Sequence, residues 1–110
     1  MRKMAVTLIA LLGGLIIQAG TTEAETIPVA RQAHLMNLLV QDCGSCHGLT
    51  MRGGLGSALL PANLDGKDDT ALAELILDGI PETPMPPWRG QLTLIEARWM
   101  VKQLKLGVQP

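Results

Sequence analysis

Apolar side chains recur at helical spacing in three segments of the chain, and no segment alternates between apolar and polar residues as a strand would. The first segment, Arg31 to Asp42, has neither Gly nor Pro and predicts an amphipathic helix that ends at Cys43-Gly44. At about 100° per residue its apolar face comprises Leu35, Met36, Leu38, Leu39 and Val40. His34 lies on the opposite, polar face.

A second, shorter helix is predicted from its end signals. Asp68, Asp69 or Thr70 can cap its N-terminus, and Gly79 fits the position just past its C-terminus. Its apolar side comprises Leu72, Leu75 and Ile76.

The last helix is predicted to begin at a capping box of Thr93 and Glu96 and to end at Gly107. Its main stripe comprises Leu94, Ala97, Met100, Val101 and Leu104. Between the helices, a Gly-rich stretch from Cys46 to Asp68 and a Pro-rich stretch from Pro81 to Pro87 predict loops. The fold class is therefore predicted to be all-α with long loops.

The N-terminus has the three parts of a secretory signal. Met1-Arg2-Lys3 is positively charged, the 14 residues from Met4 to Ile17 are uncharged and mostly apolar, and small and polar residues follow. The apolar run is shorter than the ~18 residues that span a bilayer. We predict that residues 1–24 are a signal peptide cleaved after Ala24, with cleavage after Ala19 or an uncleaved anchor as alternatives. The mature domain, residues 25–110, is then exported to the periplasm, without stable membrane insertion.

The composition leaves this domain short of large core residues. Apolar residues make up 47% of the 110 residues, but Phe and Tyr are absent, and the aromatic residues are Trp88 and Trp99. So small a core needs a cofactor, a metal or a partner for stability. Two cysteines allow at most one internal disulfide, and a net charge of −1 argues against nucleic-acid binding, which needs a basic surface.

The run Cys43-Gly44-Ser45-Cys46-His47 has the C-x-x-C-H pattern of c-type haem attachment. Two thiols at this spacing can add to the two vinyl groups of one haem, and His47 can bind the iron as the proximal ligand. Three other interpretations remain. A thioredoxin-type dithiol needs a βαβ context, a zinc site needs His34 as a further ligand, and the match can be due to chance.

Four side chains are candidates for the second axial ligand: Met51, Met85, Met100 and His34. Met51 follows the haem motif too closely, Met100 lies on a core stripe, and His34 lies on a polar face. Met85 lies within the stretch 83–87, where prolines on both sides stiffen the loop and hold the thioether in place without hydrogen bonds. We predict Met85 as the ligand. His/Met ligation raises the reduction potential and fills the sixth position, which suits an electron carrier rather than an enzyme.

Together these features resemble the monohaem class I cytochromes c over about residues 30–106, and are more similar still to the short NirC-type cytochromes c of denitrification gene clusters. The matching stretches are residues 42–49, 53–56, 83–88 and 96–99. The resemblance implies a small class I cytochrome c fold around one covalent haem c. It also implies electron donation to a cytochrome cd-type nitrite reductase, or a part in maturing the special haem of that enzyme.

Two departures from the family pattern affect the expected site. Class I cytochromes have Gly-Pro-x-Leu after the haem motif, and that Pro carbonyl accepts the proton of the proximal His. Here the stretch is Gly56-Ser57-Ala58-Leu59, so the Ser57 carbonyl is expected to take this role without the rigid φ of proline. The usual aromatic residue of the last helix falls near Gln103, whereas Trp99 lies on another side of that helix.

The haem propionates need hydrogen-bond donors wherever they are buried. Trp88 is predicted to donate its indole N–H to a propionate, with Arg89 as a second donor; the alternative is that Trp88 only covers the apolar haem edge. A redox partner is expected at the exposed haem edge, among Met51, Arg52, Pro86, Pro87 and Arg89.

We predict an electron-transfer cytochrome c that serves the nitrite reductase system and is not an enzyme. The alternatives are an accessory protein in haem maturation for nitrite reductase, an enzyme or gas sensor with an open iron, and a haem-bearing subunit of a larger complex.

Overall fold

The computed structural model describes residues 26–108, which are helical and contain no β-strand. In chain order the elements are α1 (Val29–Leu38), a π-helical turn (Leu39–Cys43), α2 (Gly44–His47), α3 (Pro61–Leu64), α4 (Asp69–Asp78) and α5 (Leu94–Leu106). The all-α prediction is confirmed for this part of the chain. The predicted signal peptide, residues 1–24, lies outside it.

The first helical path is longer than predicted. It does not end at Cys43-Gly44 but continues through the π-helical turn and α2 to His47. Gly44 has helical angles (φ −63°, ψ −27°), and the first left-handed residue is Gly48 with φ 90°. A Cβ on Gly44 would lie 3.3 Å from Leu49, so this glycine allows close packing and does not terminate the helix. The whole C-x-x-C-H motif therefore lies on one helical segment.

The predicted ends of α4 and α5 are confirmed. The Asp68 carboxylate accepts a hydrogen bond from the N–H of Ala71 at 2.8 Å, and Gly79 follows the last residue of α4. Thr93 Oγ1 accepts from the N–H of Glu96 at 3.2 Å, and the Glu96 carboxylate accepts from the N–H of Thr93 at 2.9 Å. These signals are readable from sequence because both partners lie within one helical turn.

The core is built where α4 packs against α5 and α1 contacts α5. Its buried side chains are Leu35, Leu38, Leu39, Met51, Leu64, Ala73, Leu77, Leu92, Ala97, Met100, Val101 and Leu104. The prediction of a surface position for Met51 is wrong, because its side chain is 1% exposed in this core. Trp99 is half-buried and packs against the same cluster.

An ion pair joins α1 to α5. Arg31 Nε lies 2.5 Å from Glu96 Oε1, and Arg31 Nη2 donates to the carbonyl of Gln91 at 3.1 Å. The hydrogen bond from Arg31 lowers the pKa of Glu96 below its ordinary value of 4.5, against an opposing effect of burial. Because the folded-state pKa is lowered, this carboxylate stabilises the fold above the unfolded pKa. That contribution is lost as the pH falls through the folded pKa.

Glu96→Gln is therefore expected to lower the denaturant midpoint at neutral pH and to weaken the dependence of stability on acidic pH. Glutamine keeps the capping box, so the change isolates the charge. Chemical unfolding at neutral and acidic pH measures both effects, with Glu82→Gln as the control at an exposed glutamate. An acid dependence equal to that of the native protein would contradict this role of the ion pair.

Candidate functional site

A large apolar cavity lies beside α2, α4 and α5. Its volume is about 680 Å³, within the size range of cofactor sites. Its helical walls comprise Leu72, Leu75 and Ile76 of α4 and Met100, Val101 and Leu104 of α5. The apolar side predicted for α4 therefore lines this cavity, whereas Ala73 and Leu77 face the core. α4 thus has two apolar sides, one for packing and one for a ligand.

The two cysteines of the motif lie at the cavity, on the wall that α2 and the π-helical turn provide. Cys43 and Cys46 both line it, are half-buried and form no disulfide. Burial raises the pKa of the Cys43 thiol to about 11, and the neighbouring Asp42 carboxylate adds to the shift. As free thiols, these groups face an apolar space large enough for a porphyrin-sized ligand.

The imidazole of His47 also lines the cavity, and a hydrogen bond fixes its orientation. His47 Nδ1 lies 2.7 Å from the carbonyl oxygen of Ser57. Because a carbonyl only accepts, Nδ1 carries the proton, and Nε2 keeps the lone pair that a metal would bind. The expectation that the Ser57 carbonyl can replace that of the usual proline is confirmed.

Backbone hydrogen bonds and one close contact hold this loop in place of proline. The N–H of Gly53 donates to the carbonyl of His47 and the N–H of Gly56 to that of Cys46, both at 2.8 Å. These carbonyls end α2 and would otherwise lack partners. A Cβ on Gly56 would lie 2.8 Å from two atoms of the His47 ring, so the bare backbone supports the imidazole directly. Sequence reasoning missed this role of Gly56.

Met85 reaches the cavity from the proline-rich loop, where its half-buried side chain forms part of the lining. The prediction that this loop is held without hydrogen bonds is wrong. The N–H of Ile80 donates to the Met85 carbonyl at 3.2 Å, and the N–H of Met85 donates to Thr83 Oγ1 at 3.3 Å. Prolines remove donors from this loop, but a threonine side chain and the end of α4 supply partners.

The other ligand candidates separate into two groups. Met100 lines the cavity, whereas Met51 is buried in the core and does not line it. His34 is exposed on α1 and also lies away from the cavity. The side chain needed to complete a zinc site with the two cysteines is therefore not brought to them.

The donors predicted for an acidic group differ in their placement. Trp88 is half-buried and lines the cavity, and its indole has no acceptor among the described residues. Arg89 does not serve as a second donor, because its guanidinium binds Asp78 at 2.6 and 2.9 Å and Glu74 at 2.7 Å. Lys67 is instead the cation among the residues that line the cavity. Its position in the loop before α4 carried no sequence signal.

Comparisons with known proteins follow the same features. A family model described as "Cytochrome C oxidase, cbb3-type, subunit III" matches residues 30–102. The protein named cytochrome c55X of Paracoccus denitrificans is 50% identical over 90 residues, covering 82% of this chain and 87% of that protein. Cytochrome c55X of Pseudomonas aeruginosa is 55% identical over 77 residues, covering 70% of this chain and 65% of that protein.

Two solved structures resemble the fold. A "c-type cytochrome NirC" is 50% identical with a TM-score of 0.73, and the match covers 76% of this chain and all (100%) of the other. A "Dihydro-heme d1 dehydrogenase NirN in complex with DHE" is 38% identical with a TM-score of 0.57. The second match covers 63% of this chain but 15% of the other, so it concerns one segment of a much longer protein.

Proposed function

This chain belongs to the cytochrome c family, as a NirC-type monohaem cytochrome c with covalently bound haem c, and from that premise we propose that Cys43 and Cys46 carry the thioethers and that His47 and Met85 ligate the iron. The observation that carries this assignment is the placement of all four side chains on one apolar cavity. The donor set fits the group, because thiols, an imidazole and a thioether are what a c-type haem requires.

The choice of Met85 over Met100 is supported by how each thioether is supplied. Met100 is 1% exposed on the core stripe of α5, where a methionine fills space between helices. Met85 lies on a loop with proline on both sides, and hydrogen bonds to Thr83 and Ile80 fix its backbone. A loop can place a thioether over a flat ligand without disturbing helix packing.

We propose that the protein is an electron carrier and not an enzyme. Bound haem supplies a one-electron couple at its iron. Met85 occupies the sixth position and leaves no site for a substrate, and a soft thioether favours the reduced iron. The apolar walls of α4 and α5 exclude water, which further favours the less charged, reduced state.

We propose a periplasmic location, supported by the signal-like N-terminus and by the covalent haem, which is attached outside the cytoplasm. Among residues 26–108, no helix combines the length and apolarity that crossing a membrane requires.

The proposed partner is a redox protein of the nitrite reductase system, in keeping with the similarity to proteins named cytochrome c55X and NirC. Exposed apolar side chains at the cavity rim suit transient docking, since Leu55 is 75% and Ile80 is 40% exposed. Of the surface expected from sequence, Met51 is removed by burial, and Arg89 is engaged by carboxylates. A second candidate, a role in maturing the special haem of that reductase, is favoured by the similarity to a dihydro-haem d1 dehydrogenase.

Two measurements on the same system separate these functions. Stopped-flow mixing of the reduced protein with a cytochrome cd-type nitrite reductase and nitrite tests electron donation, and rapid oxidation is expected. A deletion strain tests maturation, which predicts reductase that lacks its special haem. Slow oxidation together with such haem-deficient reductase would replace the first proposal by the second.

We further propose that the Trp88 indole donates to a haem propionate, with Lys67 in the second-donor role that sequence reasoning gave to Arg89. A hydrogen bond to a charged group is worth about 1.5–3 kcal/mol, so its loss should shift the propionate pKa. Trp88→Phe is expected to change the dependence of the reduction potential on pH, measured by spectroelectrochemistry across neutral pH.

Trp99→Phe is the matched control, because Trp99 packs against the core from α5 and does not line the cavity. If Trp88→Phe and Trp99→Phe both leave the curve of potential against pH unmoved, Trp88 only covers the haem edge.

A further inference from the structure

The Met85 loop leaves α4 and returns to it at one point, and Gly79 lies at that point. Gly79 follows the last residue of α4 with φ 69° and ψ −176°, a conformation that is essentially restricted to glycine. A Cβ on this residue would lie 2.8 Å from the carbonyl oxygen of Met85, the carbonyl carbon of Pro86 and the nitrogen of Pro87. The returning backbone therefore packs directly on the bare backbone of Gly79.

Hydrogen bonds close the loop on both sides of this contact. On the outgoing side, the N–H of Ile80 donates to the carbonyl of Met85 at 3.2 Å. On the returning side, the N–H groups of Trp88 and Arg89 donate to the carbonyl of Leu77 at 3.0 and 3.1 Å. The Leu77 carbonyl is in the last turn of α4 and needs a partner from outside the helix.

The Arg89 side chain adds a second attachment to the same helix. Its Nε and Nη2 donate to Asp78 Oδ1, and Nη2 also donates to Glu74 Oε2 at 2.7 Å. These carboxylates lie on the last two turns of α4, so one guanidinium joins the end of the loop to the helix that it left. The loop is thus fixed by a backbone contact inside and by an ion pair at the surface.

We propose that Gly79 and Arg89 are positioning residues that determine how firmly the Met85 thioether is held on the haem iron. This inference rests on the proposed role of Met85 as the axial ligand. A side chain at position 79 must push the peptide after Met85 outward by about 0.6 Å, because ordinary contacts begin near 3.4 Å. Loss of the Arg89 ion pair frees the returning end of the loop instead.

The first test compares Gly79→Ala with Gly66→Ala in the haem-loaded protein. Gly66 has nearly the same φ, 71°, but no atom lies within 4 Å of its built Cβ, so it reproduces the backbone strain without the contact. We measure the rate of carbon monoxide binding to the reduced protein and the methionine–iron charge-transfer band of the oxidised protein. Gly79→Ala should bind carbon monoxide roughly tenfold faster or more and weaken the band, whereas Gly66→Ala should match the native protein.

A milder pair keeps the inference testable if Gly79→Ala does not fold. Arg89→Gln removes an exposed charge, and Arg52→Gln makes the same change on the exposed haem-side loop. Arg89→Gln should raise the carbon monoxide rate a few-fold, and high salt should raise that of the native protein toward it. Arg52→Gln should behave as native.

Met85→Leu separates failure of this inference from failure of the ligand assignment. If Met85→Leu keeps the charge-transfer band, Met85 is not the ligand and the proposed site is wrong. If Met85→Leu abolishes the band while Gly79→Ala equals Gly66→Ala, or while Arg89→Gln equals Arg52→Gln where Gly79→Ala does not fold, the ligand assignment stands and the positioning role is refuted.

Discussion

The Cys43→Ala, Cys46→Ala double variant is expected to lose all of its haem to acidified organic solvent, whereas the native chain should keep its haem even when unfolded. Thioether bonds do not depend on the fold, but haem that is held by ligation and packing alone leaves when the fold opens. Protein from a host that matures c-type cytochromes should have the mass of the mature chain plus one haem. The double variant should have the mass of the chain alone, and each single variant should keep one thioether.

Ser45→Ala is the control for these substitutions, since Ser45 lies between the cysteines and its hydroxyl donates to the carbonyl of Asp42 at 2.6 Å. This variant should keep haem in full. Haem that stays attached to the double variant would mean that other side chains carry it. The loss should also destabilise the fold, because the walls of α4 and α5 then lack the apolar partner against which they pack.

Features that depend on one helical turn could be read from the sequence. Asp68 caps α4, and Thr93 and Glu96 form a reciprocal box at the start of α5, because donor and acceptor lie three residues apart in each case. The haem motif was predictable for the same reason, since its chemistry requires a fixed spacing of residues.

Glycine was read correctly where it ends a helix and wrongly where it packs. Gly79 and Gly107 follow helix ends as predicted, and both have left-handed φ. Gly44 continues the helix, and its lack of a side chain makes room for Leu49, which is a tertiary contact. Local sequence does not distinguish these uses, because both appear as a Gly after an apolar segment.

Residues that hold the candidate ligands in place were also beyond sequence reasoning. Gly56 contacts the His47 ring from nine positions away, and Arg89 reaches two carboxylates on the preceding helix. Met51 has φ 59° and turns its side chain into the core, a conformation that a composition of Gly and Met does not reveal. The ligands follow from chemistry, whereas their supports follow from how distant segments meet.

Met85→Ala is expected to lower the reduction potential by on the order of 100 mV and to open the reduced iron to carbon monoxide. The thioether stabilises the reduced iron, and its removal leaves the sixth position to water or to an added ligand. Potentiometric titration measures the first effect, and the absorption spectrum under carbon monoxide measures the second.

Two methionine variants test whether this effect is specific to position 85. Met100→Leu changes the other thioether at the cavity, and Met51→Leu changes one buried away from it. Leucine conserves volume in a core, so both variants should keep the potential and remain closed to carbon monoxide. A potential that falls in Met100→Leu but not in Met85→Ala would move the ligand to α5. It would leave the Met85 loop as a wall of the cavity, and the loop's hydrogen bonds to Thr83 and to the end of α4 would then serve the fold alone.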